Sequence, residues 1–347
     1  MTTKENSSVL YRKYRPQKWD EVVGQDHVIS VLQDSLKTTR ISHAYLFSGT
    51  RGTGKTTIAR IFAKALGVST NDVYEIDAAS NRGIDDIREI RDGVNVLPFE
   101  SPYKVYFVDE VHMLTKEAFN ALLKTLEEPP AHAIFILATT ETDKIPETVI
   151  SRCQVFLFKK PSREILSEIL TKTAKKEKFY LEPGVADLIA LLGDGSFRDA
   201  LGILQKALST SKDSKVSLSE VESITGAPKG TLVNDFITAL SVRNKEKALL
   251  VISLAKEGNV GMKTFVALVL EKMRIVLLLK NSPTLAKKLE EHVSADDWKV
   301  LKKISEENEK GGLNSAMLLA ILKAYDATEK AYIESLPLEL AVIDICG

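Results

Sequence analysis

A glycine-rich loop constrains the fold of this chain more than any other feature. Residues 49–56 read Gly-Thr-Arg-Gly-Thr-Gly-Lys-Thr, which is the pattern G-x-x-x-x-G-K-T. The apolar run 44–47 before it is typical of a buried strand, and residues 57–66 have the i, i+3, i+4 apolar spacing of a helix. Such a turn directs backbone N–H groups and a helix N-terminus at phosphate oxygens. The loop therefore predicts a nucleoside triphosphate site in an α/β fold.

The positions of this loop have different predicted roles. The glycines let the backbone wrap around phosphates, Lys55 reaches the β and γ phosphates, and the Thr56 hydroxyl ligates Mg²⁺. The predicted phosphate-binding set is Gly49, Gly52, Thr53, Gly54, Lys55, Thr56 and Thr57.

Length and composition narrow the class of protein. At 347 residues the chain is too long for one ordinary core, and we expect two or three domains. The formal net charge is zero, so a nucleic-acid partner is neither demanded nor excluded. The only two cysteines cannot form a disulfide framework or a four-cysteine zinc site. Neither a signal peptide nor a membrane-spanning run is found, which predicts a cytoplasmic protein.

The rhythm of apolar segments changes near residue 160. Up to that point short apolar strands alternate with helical stretches, which predicts a parallel sheet covered by helices on both sides. These strands are expected at 44–47, 73–76, 104–108, 133–137 and 155–158. After residue 161 we expect only helices, first in a small helical lid and then, past a polar joint at 209–214, in an all-helical domain. The last two helices of that domain are expected at 298–307 and 315–333. The predicted domains are 1–160, 161–210 and 215–347.

Two carboxylates follow the strand expected at 104–108. A strand buried on both faces ends at the carboxyl edge of the sheet, where open α/β folds bind nucleotides. Asp109 is therefore predicted to hold Mg²⁺ beside Thr56, and Glu110 to polarise the attacking water. The next strand ends in Thr139 and Thr140, where a hydroxyl suits either a γ-phosphate sensor or strand packing. Spacing alone does not distinguish Arg152 or Arg198 from ordinary surface arginines.

Longer segments resemble a known family. They are 11–16 (Tyr-Arg-Lys-Tyr-Arg-Pro), 22–25 (Val-Val-Gly-Gln), 77–84 (Asp-Ala-Ala-Ser-Asn-Arg-Gly-Ile), 109–114 (Asp-Glu-Val-His-Met-Leu) and 119–130 (Phe-Asn-Ala-Leu-Leu-Lys-Thr-Leu-Glu-Glu-Pro-Pro). Together with the loop they resemble the AAA+ ATPases and, more narrowly, the gamma/tau subunits of the bacterial DNA polymerase III clamp loader. The resemblance covers most of the first 210 residues, and the helical tail resembles the family's collar domain more loosely.

The resemblance implies roles for individual residues. Residues on the adenine side of the bound ATP would be Tyr11, Tyr14, Arg15, Pro16, Val22 and Val23. Arg152 falls on the arginine finger, which reaches the ATP of a neighbouring subunit and stabilises charge on the transferred phosphoryl group. Thr140 falls near the first sensor and Arg198 on the second sensor, in the lid. Lys55, Glu110 and Arg152 would be the catalytic set, and Thr56 and Asp109 the Mg²⁺ ligands.

The resemblance also implies partners and a task. Members load a ring-shaped sliding clamp onto primed DNA, in a hetero-pentamer that combines several copies of such a chain with delta and delta-prime type subunits. A catalytically silent scaffold subunit and another AAA+ DNA-remodelling motor, such as a branch-migration motor, are the alternatives. The sequence departs from the family twice. Residues 65–73 run where members carry a four-cysteine zinc module, so we predict no zinc. The chain also ends after the expected collar, so the contacts that the longer tau form makes with polymerase and helicase are not expected.

Overall fold

The computed structural model describes residues 9–282, 290, 293–306 and 312–347. These residues form two compact units. The first contains the described residues up to Leu166 together with Gly193–Gly202, and the second contains Ser167–Leu192 together with the described residues from Ile203 onward. Within the same described ranges, no helix is long and apolar enough to cross a membrane. The division into domains at 1–160, 161–210 and 215–347 stays a prediction.

A five-stranded parallel sheet is the centre of the first unit. Its strands are β1 (Ala44–Ser48), β2 (Val73–Asp77), β3 (Lys104–Asp109), β4 (Ala133–Thr139) and β5 (Gln154–Leu157). They lie in the order β2-β3-β4-β1-β5, and every neighbouring pair is parallel. Because all strands run the same way, the carboxyl ends of β1, β3 and β4 meet at one edge of the sheet. The predicted α/β architecture is confirmed.

Helices connect the strands of this sheet. They are α1 (Leu10–Lys13), α2 (Asp26–Lys37), α3 (Lys55–Ala65), α4 (Ile84–Val94), α5 (Lys116–Glu127) and α6 (Glu147–Ile150). α3 begins at Lys55, two positions before the start expected from apolar spacing. The first turn of α3 is polar, and the spacing of apolar residues indicates only the part of the helix that packs on the sheet.

The three central strands β3, β4 and β1 are buried on both faces, which explains their continuous apolar runs, whereas the edge strands β2 and β5 are largely exposed. Tyr45 and Phe47 of β1 belong to one core layer, which also contains Phe62 of α3. The rings of Tyr45 and Phe62 pack edge to face with their centroids 5.1 Å apart. Leu46, which lies between them in β1, points to the opposite layer, where Leu122 of α5 packs. Alternate side chains thus fix the sheet between two helical layers.

The second unit is built mainly from helices. The helices whose bounds fall within the described residues from 163 onward are α7 (Arg163–Lys176), α8 (Val185–Leu192), α9 (Phe197–Thr210), α10 (Leu218–Thr225), α11 (Gly230–Ser241), α12 (Lys245–Glu257), α13 (Met262–Asn281), α14 (Ala295–Glu306), α15 (Ser315–Thr328) and α16 (Leu336–Cys346). One large cluster of buried side chains joins α11 to α16, with Phe236 and Phe265 in edge-to-face contact at 5.3 Å. The predicted helical C-terminal part is confirmed.

Three sequence predictions for this part of the chain need correction or qualification. Two short strands, β6 (Tyr180–Leu181) and β7 (Lys215–Val216), pair in parallel, so the expectation of no strand after residue 161 was wrong. Each strand has two residues, which is too short to show an alternating pattern. The helix expected at 315–333 ends at Thr328. The helix expected at 298–307 ends at Glu306 in the structure, and residue 307 lies outside the described residues.

Candidate functional site

The glycine-rich loop connects the end of β1 to the start of α3. Gly54 caps α3 in the left-handed region with φ 105°, and no atom lies within 4 Å of the position that a Cβ would take there. Gly52 has φ 76°, and a Cβ at that residue would lie 2.0 Å from Ser196 Oγ. The Gly52 carbonyl also accepts a hydrogen bond from the Phe197 N–H over 3.0 Å. The chain segment that begins at Gly193 therefore packs directly against the loop, and only glycine fits at residue 52.

Lys55 is buried beneath the loop, with 6% of its surface exposed. Its ammonium group donates hydrogen bonds to the carbonyls of Gly49, at 2.6 Å, and Thr50, at 3.1 Å. Burial lowers the pKa of Lys55, and the charges of Glu110 and Asp109 oppose that shift. An ammonium has three donors, so one is available for an anion inside the loop.

Thr56 and Asp109 bring the first turn of α3 to the end of β3. The Thr56 hydroxyl donates to Asp109 Oδ2 over 3.3 Å. Burial raises the pKa of Asp109, and the neighbouring charge of Glu110 raises it further. A hydroxyl and a carboxylate whose negative charge is disfavoured fit a hard cation, which would restore the balance of charge there. Within the described ranges no cluster of three or more His, Cys, Asp or Glu could hold a metal, so Mg²⁺ would depend on these two groups and on phosphate oxygens.

Glu110 turns back towards the end of β4. Its backbone is in the left-handed region, with φ 50° and ψ 44°, and its N–H donates to Asp109 Oδ1 over 3.0 Å. The Thr140 hydroxyl donates to Glu110 Oε2 over 3.0 Å. The two residues, predicted separately, are therefore in direct contact across neighbouring strands. A carboxylate in this position can accept a hydrogen bond from a water molecule beside the loop.

A cavity of about 610 Å³ opens beside Thr56 and Asp109. Its walls are rich in arginine and consist of Tyr11, Arg12, Arg15, Gln17, Thr56, Arg60, Asp109 and Arg198. The Arg198 guanidinium lies over the Tyr11 ring, 5.5 Å from its centroid. Burial lowers the pKa of Arg15, and the neighbouring charges of Arg60 and Arg198 lower it further. Convergent cations of this kind favour a polyanionic ligand.

The other predicted nucleotide-side residues have less direct positions. Thr53 is buried, and its hydroxyl donates to the Thr50 carbonyl over 2.9 Å, so it stabilises the loop from inside. Val22 packs against the core layer of α2 and α3, whereas Val23 is 38% exposed. The remaining three, which are partly buried in the N-terminal segment and in the first turn of α3, are Tyr14, Pro16 and Thr57.

Arg152 lies after α6 and is not among the residues that line the cavity. Its guanidinium donates to Glu127 Oε1 over 2.6 Å and to the Thr148 carbonyl over 2.7 Å. Both partners belong to the same unit. The structure therefore places Arg152 outside the lining of the cavity beside Thr56 and Asp109.

Several residues that the sequence analysis did not single out complete the site. Gln25 is fully buried and bonds the backbone of Lys159 in both directions, at 2.7 and 3.2 Å, while its amide reaches the Thr53 carbonyl at 3.4 Å. It thus connects the loop to the segment after β5. Arg60 lies in the cavity one helical turn after Thr56 and forms a bidentate ion pair with Glu75 at 2.5 and 2.6 Å. The i, i+4 spacing from Thr56 was the available signal for Arg60.

Hydrogen bonds connect the segment 65–73, for which no zinc was predicted, to the segment 99–101 ahead of β3. The buried Asp72 carboxylate accepts backbone hydrogen bonds from Phe99, at 2.6 Å, and from Glu100 and Ser101, at 3.0 Å each. Asn71 donates to the Glu100 carboxylate over 3.2 Å. The predicted absence of zinc stays a prediction.

This chain is similar in sequence to known proteins. A sequence profile described as "DNA polymerase III, delta subunit" matches residues 24–81 and 67–162. The DNA polymerase III subunit tau of Bacillus subtilis is 40% identical over 97% of this chain and 63% of its own length. The Escherichia coli subunit tau is 38% identical over 79% of this chain and 46% of its own length. This chain therefore spans about half to two thirds of the length of these relatives.

Comparison with solved structures agrees on the fold. The Thermotoga maritima RuvB Holliday junction branch migration motor superposes with a TM-score of 0.53 over 65% of this chain and 79% of that protein. At 22% sequence identity, this likeness shows the shared AAA+ fold alone. The resemblance expected from the sequence is confirmed: this chain is similar to the gamma/tau subunits of bacterial DNA polymerase III and has the AAA+ fold.

Proposed function

We propose that this chain is an ATP-driven clamp-loader subunit of the bacterial replicative DNA polymerase, acting in the cytoplasm. The observation that carries the proposal is the contact of Thr56 with Asp109 at the edge of the sheet, directly beside the glycine-rich loop and Lys55. In a chain 40% identical to a tau subunit, this arrangement supports ATP hydrolysis coupled to loading a sliding clamp onto primed DNA.

Different residues of the site have different roles in ATP hydrolysis. The loop N–H groups and Lys55 bind the phosphates, while the arginines of the cavity neutralise further negative charge. Thr56 and Asp109 would hold Mg²⁺, which when bound neutralises charge on the β and γ phosphates. Glu110 orients a water molecule for attack, and Thr140 holds the carboxylate of Glu110 through Oε2.

In the assembly, Arg152 acts on the ATP that is bound by a neighbouring subunit. It is separate from the cavity of its own chain and sits on the surface, with 33% of its side chain exposed. These features suit a guanidinium that stabilises the transferred phosphoryl group in the next subunit. The proposed assembly is a hetero-pentamer with several copies of this chain, together with delta and delta-prime type subunits, the sliding clamp and primed DNA.

Two rival functions make different demands on the same site. A catalytically silent scaffold would not need Lys55, Thr56, Asp109 and Glu110 together, yet all four are present, with Thr56 in contact with Asp109 and Glu110 in contact with Thr140. Another AAA+ DNA-remodelling motor would use the same residues. It would hydrolyse ATP in response to DNA alone, with no dependence on a clamp.

ATP turnover by the reconstituted assembly tests the proposal. Turnover should rise most when both primed DNA and clamp are present. K55A should weaken ATP binding, and E110Q should bind ATP while turning it over about 100-fold more slowly, because general-base contributions are of that order. R40A, at an exposed position after α2, is the control and should match the unmodified chain. Stimulation by DNA without clamp would favour the remodelling motor, and absence of turnover would favour the scaffold.

A further inference from the structure

We propose that His112 is a positioning residue for Glu110: its imidazole, together with the Thr140 hydroxyl, holds Glu110 Oε2 so that Oε1 is oriented towards the attacking water. This inference rests on the proposed function, because it assigns a role within the hydrolysis of ATP at the same site. It concerns a side chain that neither the glycine-rich loop nor the Mg²⁺ ligands account for.

The His112 ring is enclosed between the ends of two neighbouring strands. It lies in the turn Val111–Met113 after β3, and 6% of its side chain is exposed. Nδ1 is 3.0 Å from the hydroxyl of Thr139, the last residue of β4. That hydroxyl is itself fixed, because it accepts the Glu141 N–H over 3.0 Å and Thr139 is fully buried. The ring therefore has a defined place relative to the edge of the sheet.

Both ring nitrogens face a carboxylate. Nδ1 is 3.5 Å from Glu110 Oε2, and Nε2 is 3.4 Å from Glu141 Oε1. Glu141 is held in turn by Lys144 at 2.8 Å. Rotating the ring away from Glu110 would break the contacts at Thr139 and Glu141 as well. The hydrogen bond of Nδ1 with Thr139 and the contact of Nε2 with Glu141 on the far side of the ring thus keep Nδ1 close to Glu110 Oε2.

Glu110 needs such an external constraint. The terminal torsion of a glutamate side chain is broad, so the backbone does not determine where each carboxylate oxygen points. Here two groups, the Thr140 hydroxyl at 3.0 Å and His112 Nδ1 at 3.5 Å, converge on Oε2. Within the described residues, Oε1 has no hydrogen-bond partner. Fixing one oxygen by two groups leaves the other in a defined direction, as a general base requires.

Four variants of the full chain in its reconstituted assembly test this role. ATP affinity, KM and kcat are measured for each, together with thermal unfolding. H112A should lower kcat about tenfold or more, since small misplacements of reacting groups have effects of this size. ATP affinity and KM should change by less than about twofold, because His112 does not touch the phosphate loop. H132Q is the matched control: His132 bonds the Val94 carbonyl at the opposite end of β4 and should leave kcat unchanged.

The two amide replacements separate positioning from packing. The Asn amide nitrogen takes the place of Nδ1, so H112N should recover most of the kcat lost in H112A. The Gln amide nitrogen takes the place of Nε2, so H112Q should not recover it. Equal losses of kcat in H112N and H112Q, or an H112A kcat equal to that of the unmodified chain, would overturn the inference. An unmodified chain without ATP turnover would instead reject the proposed function itself.

Discussion

Arg152 is ion-paired with Glu127 of its own chain, with 2.6 Å between Nη2 and Oε1. The two side chains are 33% and 50% exposed, so water screens the pair, and its net contribution is about 0–1 kcal/mol. In the proposed assembly, the guanidinium would therefore exchange this carboxylate for a phosphate of a neighbouring subunit at little cost in free energy. Glu127 would act as a resting partner for the arginine while the subunits are apart.

Replacing Arg152 by alanine should abolish hydrolysis in the assembly and spare nucleotide binding. Supplied arginines of this kind contribute about a thousandfold or more to the rate of phosphoryl transfer. Steady-state turnover and equilibrium ATP binding, measured on the same preparation, check both parts. E127Q frees the guanidinium without removing it and should keep turnover within about threefold of the unmodified chain. Unchanged turnover in R152A would contradict the finger role.

Replacing Asp109 by asparagine should stabilise the ligand-free protein while abolishing Mg²⁺-dependent turnover. Burial, with Glu110 beside it, raises the pKa of Asp109 above its unfolded value. The stability contributed by this group is therefore complete at acid pH, below the unfolded pKa, and is lost as pH rises through the folded pKa. At pH 7 the unmodified chain has lost that stability, whereas D109N has no charge to bury at this position. Tm should therefore be higher in D109N. Addition of Mg²⁺ and ATP should raise Tm more in the unmodified chain, and a lower Tm of D109N without ligand would contradict the assignment.

Replacing Asp72 by alanine should lower Tm at neutral pH and have little effect in acid. Burial alone would raise the pKa of Asp72, but hydrogen bonds from Phe99, Glu100 and Ser101 lower it. The stabilisation is therefore present above the unfolded pKa and is lost as pH falls through the folded pKa. The difference in Tm between D72A and the unmodified chain should shrink as the pH is lowered from about 7 to about 2, as measured by thermal unfolding. D34A, at an exposed residue of α2, should show no such pH dependence.

Replacing Lys272 by methionine should destabilise the second unit by about 1.5–3 kcal/mol, because it removes a charge-assisted hydrogen bond to the partly buried Asp297 carboxylate. Lys272 is 10% exposed and contacts Asp297 Oδ1 at 2.7 Å, Asn234 Oδ1 at 2.8 Å and the Gly230 carbonyl at 3.3 Å. The double variant K272M/D297L removes both charges and should lose less stability than K272M alone. Denaturant unfolding of both variants measures the difference; equal losses would show that the pair is not coupled.

The parts of the site that were predicted from sequence are those encoded by neighbouring residues. The strand, loop and helix around Lys55, and the carboxylates that end β3, are local patterns, and the structure has both in the expected places. Gln25 forms hydrogen bonds with Thr53 and Lys159, which are distant from it in sequence. No local sequence pattern therefore predicts its role. His112 lies inside a segment that the family resemblance covered, yet its contacts with Thr139 and Glu141 depend on strand order. The short strands β6 and β7 were missed because each has only two residues, too few to show an alternating pattern.

The hydrogen bond from Phe197 to the carbonyl of Gly52 bears on how the chain is made. A ribosome releases the loop long before it releases the segment Gly193–Gly202 that packs against it. A nascent chain that stops at residue 166 would contain the whole parallel sheet but not the segment that packs against Gly52. Nucleotide capture should therefore begin only after synthesis has passed this segment, which delays ATP binding until the second unit is also under construction.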